Sequence, residues 1–107
     1  MQLFQLEEVL SSLISGLSAI LGDQLEGAYL YGSRARGDNH PYSDIDVLII
    51  LNNEFDYDEM LNKTIELTAH LSLEFDVVIS SAFVTQERFK KEMSPFLINV
   101  RREAIPL

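Results

Sequence analysis

Residues 44–51 read Asp-Ile-Asp-Val-Leu-Ile-Ile-Leu, and this octapeptide decides the fold. Its β-branched content marks a strand. Beyond Asp46 it is apolar on both faces, so it belongs at the centre of a sheet that is covered on both sides. Two carboxylates open it. Side chains two apart on a strand share a face, so Asp44 and Asp46 project together. Carboxylates held side by side at the start of a buried strand repel each other and lose hydration, which is costly unless a cation lies between them. Hard oxygen ligands of this kind suit Mg2+ or Mn2+.

Working back towards the N-terminus, residues 26–31 (EGAYLY) form a short aromatic strand that stops at Gly32. A glycine there permits a sharp turn and the close approach of a ligand. Ser33 offers a hydroxyl and a backbone N–H, and a helix starting at residue 33 would favour an anion such as a phosphate. Residues 33–43 (SRARGDNHPYS) are polar and read as a turn, at most one helical turn, and a loop. Residues 4–21 place Leu6, Val9, Leu10, Leu13, Ile14, Leu17, Ile20 and Leu21 at the spacing of an amphipathic helix, with Gly22 as its stop.

Working forward, residues 56–72 form a second amphipathic helix with Asp56 as N-cap. Residues 73–80 (LEFDVVIS) read as a third strand carrying an isolated Asp76, whose plainer reading is a capping or edge residue, and residues 85–93 as a short helix. Ser94-Pro95 gives an N-cap followed by proline at the first helical position. Phe96, Leu97, Val100 and Ile105 line the last helix. The expected architecture is a single α/β (α+β) domain over residues 1–107. A small mixed central β-sheet is flanked by helices in two or three layers. A third strand beside the Asp44–Asp46 strand would let Asp76 converge on the pair. Three carboxylates and a phosphate-binding turn would make a two-metal site for phosphoryl or nucleotidyl transfer.

Composition narrows the class. The chain has 107 residues, no cysteine and 47% apolar residues. Disulfides and cysteine-based zinc sites are excluded. No apolar run approaches the roughly 18–20 residues of a membrane span, and the first residues, with Glu7 and Glu8, do not make a signal peptide. A cytoplasmic location is expected. The net charge of −9 argues against a general nucleic-acid binder. Five of the eight bases fall after residue 85. That leaves an acidic body and a mildly basic tail, which reads as solvated helix faces or as a docking surface for a partner.

The stretch GSRARGDNHPYSDIDVLI, residues 32–49, sets Gly32-Ser33 ten residues ahead of Asp44-x-Asp46. It resembles the signature of the polymerase-β-like nucleotidyltransferase superfamily, in its minimal (MNT) branch. The resemblance covers roughly residues 24–80. It implies that Asp44, Asp46 and Asp76 are catalytic and ligate two Mg2+ ions. It also implies that Gly32 and Ser33, with Arg34 and Arg36 nearby, contact the phosphates of ATP. Many such proteins are encoded beside a HEPN-domain ribonuclease toxin and act as its antitoxin. They adenylylate a toxin tyrosine, and a hetero-oligomer with the toxin is expected. The absence of an added helical domain favours a protein acceptor over a small molecule such as an aminoglycoside. A third possibility is an antitoxin that acts by contact alone. The family pattern often has glycine where this chain has Ala104.

Several residues have plainer readings. Arg34 and Arg36 could form surface ion pairs near Asp38. His40 reads as a solvated loop residue, and Tyr42 could line a nucleotide pocket. Tyr29 and Tyr31 read as sheet packing. His70, four residues after Glu66, reads as a helix-face pair.

Overall fold

A strand that is dry on both faces needs a helix layer on each side. The computed structural model, which describes residues 3–37 and 44–107, supplies both. The element order is α1 (Leu3–Leu21), a 3-10 turn (Gly22–Gln24), β1 (Leu25–Tyr31), α2 (Ser33–Arg36), β2 (Ile45–Leu51) and α3 (Tyr57–Phe75). It continues with β3 (Ile79–Thr85), α4 (Gln86–Lys91), α5 (Pro95–Glu103) and β4 (Ile105–Pro106). Asp38, His40 and Tyr42 lie outside the described residues.

The four strands run in the order β3-β2-β1-β4. β2 is antiparallel to β1 and parallel to β3, so the sheet is mixed. The parallel step requires a crossover, and α3 provides it. Strand alternation sorts the core into two clusters. Ile45, Val47, Ile49 and Leu51 pack with Val9, Leu13 and Leu17 of α1 and with Met60 and Leu71 of α3. Leu48 and Ile50 pack on the other side with Leu97 and Val100 of α5 and with Phe89 of α4. The result is three layers, helix on sheet on helix.

The helix caps follow the sequence. Asp56 accepts from the Glu59 N–H at 3.0 Å. Ser94 accepts from the Leu97 N–H at 3.3 Å, with Pro95 opening α5. Arg101 donates to the carbonyls of Phe89 and Glu92, both at 2.6 Å, and so ties α5 to the end of α4. Tyr29 stacks on Phe89 and Tyr31 meets Phe96 edge-on, so both tyrosines pack as expected. His70 faces Glu74 at 3.7 Å instead of Glu66.

Three expectations are corrected. Residues 73–75 continue α3, because Leu71 and Phe75 extend its apolar stripe into the core. Asp76 is therefore not a strand residue. It is the C-cap of α3, in the left-handed conformation at φ 53°, and its N–H donates to the Ser72 carbonyl. Asp tolerates this conformation better than most residues. The third strand begins only at Ile79. At the other end of the chain, Ile105 does not lie on the last helix. α5 ends at Glu103, and Ile105 pairs with Leu30 in β4 along the outer edge of β1.

α1 and α3 approach closely where Gly16 meets Leu67. A Cβ on Gly16 would lie 2.6 Å from a Leu67 methyl. Gly16→Val should destabilise the fold by about 1–3 kcal/mol through overpacking. Thermal unfolding should register a Tm lower by roughly 5–15 °C. An unchanged Tm would show that the helices separate without cost.

Candidate active site

β1 must turn away from the sheet at its end, and Gly32 does so at φ 76° and ψ −156°. Only glycine enters that region without strain. Proximity imposes the same choice, because a Cβ on Gly32 would overlap Oδ2 of Asp46. The turn and the carboxylate are thus in contact. α2 follows as one helical turn, with the Arg36 N–H donating to the Gly32 carbonyl at 3.2 Å.

Asp46 shares its face of β2 with Leu48 and Ile50, the face covered by α4 and α5. Its lateral neighbours are Tyr31 on β1 and Ser80 on β3. Asp44 is exposed just ahead of the strand. The Ile45 N–H donates to the Val78 carbonyl at 2.8 Å, which fixes where β2 and β3 begin to run together.

Burial raises the pKa of the Asp46 carboxyl, the charge of Asp44 raises it further, and Arg36 partly offsets both. Burial likewise raises the pKa of the Tyr31 phenol, with the charge of Asp46 adding to it. Asp44, Asp46 and the Tyr31 phenol thus gather where β1 ends and β2 begins. A divalent cation fits this donor set: two carboxylates on adjacent same-face positions, one of them partly desolvated.

The phosphate-side residues differ among themselves. Ser33 is half-buried beside Gly32. Arg34 turns inward and is 6% exposed, which leaves little of it for a ligand. Arg36 stands at the rim and pairs with Glu103 of α5 at 3.5 Å. It lines a cavity of about 240 Å³ with Tyr31, Gly32, Phe96, Asn99 and Val100.

Gly32, Ser33, Arg36, Asp44 and Asp46 are brought to one end of the sheet. The expected convergence of Asp76 is not found. It is exposed at the end of α3, before β3 begins, and among the described residues no group of three or more acids or histidines is placed to hold a metal. Sequence reasoning did not foresee Ser80 beside Asp46 or Glu103 beside Arg36. The first depends on strand register and the second on a contact between α2 and α5, and neither leaves a local signal.

Fold and site together define a nucleotidyl-transfer domain. Residues 17–94 match the family model described as "Polymerase beta, Nucleotidyltransferase", and the chain belongs to that family. It is a nucleotidyltransferase. One relative, "Putative protein adenylyltransferase MJ0604" of Methanocaldococcus jannaschii, is 32% identical over 88 residues, covering 82% of each chain. A solved "putative minimal nucleotidyltransferase" is 25% identical with a TM-score of 0.57, covering 95% of each chain. A toxin–antitoxin solved with AMP-PNP is 22% identical with a TM-score of 0.63, over 90% of this chain and 69% of that one. No helix among the described residues is long and apolar enough to cross a membrane.

Two outcomes test the electrostatics of the site. The folded-state pKa of Asp46 lies above its unfolded value. The charged group thus costs stability at neutral pH, and the cost is relieved as the pH falls through the folded pKa. In the absence of divalent metal, Asp46→Asn should raise Tm by a few degrees at pH 7, with the gain shrinking in acid. A Tm lowered at pH 7 would contradict the charge argument. Gly32→Ala should lower nucleotidyl transfer by about 100-fold, since displacing a positioned group by about 1 Å costs that much. Wild-type rates in Gly32→Ala would mean that the contact with Asp46 is dispensable.

Proposed function

We propose that the chain is a protein adenylyltransferase acting in the cytoplasm as the antitoxin of a HEPN/MNT pair. It moves AMP from ATP to a tyrosine of the cognate HEPN ribonuclease. The observation that carries this reading is the contact of the Gly32 turn with Asp46, beside Asp44, at one end of the sheet. A glycine turn and a carboxylate pair then lie side by side. The archaeal relative's name, as a protein adenylyltransferase, supports a protein acceptor. The toxin–antitoxin neighbour supports a toxin as that protein.

Asp44 and Asp46 would hold the divalent ions. Two Mg2+ ions bound there would neutralise the carboxylates and the triphosphate and would acidify the acceptor hydroxyl. Gly32 leaves backbone room for the β and γ phosphates, and Ser33 offers them its hydroxyl and N–H. Arg36 at the rim adds positive charge once the phosphates compete with Glu103 for it. The acceptor oxygen bonds to the α-phosphorus, and the bond from that phosphorus to the α–β bridging oxygen breaks. Pyrophosphate leaves with the electron pair, and the acceptor proton passes to solvent. The product places bulk and negative charge on the toxin, where RNA phosphate would otherwise bind.

Incubation with ATP, Mg2+ and the HEPN protein encoded alongside should add one or more AMP masses to that protein by intact mass spectrometry. Asp44→Asn with Asp46→Asn should abolish the adduct and the protection of cells. Protection that survives the double substitution would mean neutralisation by contact. Loss of an aminoglycoside's activity, without any protein adduct, would mean a small-molecule acceptor.

A further inference from the structure

β4 is short, but its register brings one charged side chain to the turn after β1. Tyr29 pairs with Pro106 and Leu30 with Ile105, antiparallel. Counting back along that pairing brings Glu103 level with Gly32. Glu103 is the last residue of α5, and its carboxylate meets Nη1 of Arg36 at 3.5 Å. Both side chains line the cavity of about 240 Å³ beside the Gly32 turn. Stability does not account for a glutamate at this position. An anion in the last turn of a helix opposes the macrodipole, which Arg101 and Arg102 suit instead. An ion pair whose side chains are 44% and 35% exposed adds little to the fold. The charge of Arg36 also reaches Asp46, whose raised pKa it partly offsets. The guanidinium thus acts on two carboxylates, one in the site and one at its rim.

We propose that Glu103 is a positioning residue for Arg36, a charge latch that sets the affinity of the site for a triphosphate. The carboxylate holds the guanidinium at the rim and balances its charge. Phosphate oxygens entering the cavity must draw Arg36 away from Glu103 to bind it. The latch therefore weakens nucleotide binding, and by the same means it loosens the hold on the pyrophosphate that leaves. This rests on the reading that the Gly32 turn and Arg36 receive the phosphates of ATP. It goes beyond that reading in assigning a residue of α5 that regulates how tightly they are held.

Calorimetric binding of a non-hydrolysable ATP analogue with Mg2+ to the full chain tests the assignment without any acceptor. Glu103→Gln should tighten binding about three- to fivefold, the worth of a partly exposed ion pair. Glu103→Asp keeps the charge and should stay within about twofold of wild type. In an Arg36→Gln background, Glu103→Gln should lose most of its gain, because the latch has nothing to hold. A merely structural role for Glu103 would show neither the rescue by aspartate nor the coupling to Arg36. Unchanged or weaker binding in Glu103→Gln overturns the inference and leaves the nucleotide site standing. A full gain that persists in the Arg36→Gln background also overturns it, since the effect would then be bare repulsion of the phosphates. A wild-type chain that binds no analogue overturns both the inference and the reading beneath it.

Discussion

β2 is buried on both faces from Val47 to Leu51, and the rest of the molecule is arranged to keep it so. One face requires α1 and α3, and the other requires α4 and α5. Its two edges are closed by β1 and β3. The only part of this segment that can carry charge is its beginning, where the helix layers no longer cover it. Asp44 is exposed there and Asp46 is half-buried. The two carboxylates sit at the start of the strand because continuous burial begins only after them.

The turn after β1 meets the same boundary. A residue with a Cβ in place of Gly32 would need both an unfavourable backbone conformation and the space held by the Asp46 carboxylate. Two independent demands at one position make the turn a narrow one. They also hold the turn against the Asp46 carboxylate, whose partly desolvated charge calls for a compensating cation. The membership of the nucleotidyltransferase family accords with that requirement.

Much of this was legible in the sequence because it is local. The stripe of α1, the Asp56 cap, the Ser94-Pro95 start and the apolar run after Asp46 each carry their own signal. The third strand was misplaced because LEFDVVIS begins with residues that also satisfy helical spacing. The burial of Leu71 and the packing of Phe75 decided in favour of helix. β4 was not foreseen, since a two-residue strand has no periodicity to read. The placement of Ser80 beside Asp46 has no local signal either. Only the pairing of β3 with β2 sets it beside Asp46, and pairing joins segments that local patterns treat separately.

Asp46 has Tyr31 and Ser80 as its lateral neighbours, so the candidate site spans three neighbouring strands. One of those pairings is parallel and bridged by the whole of α3. No contiguous piece of chain holds the site, and none of it survives separation of the sheet. Ligand binding is therefore coupled to the global unfolding equilibrium and not to a local opening. A bound nucleotide would slow amide exchange in the central strands far from the phosphates as well as near them, and folding of the sheet and readiness for chemistry become one event.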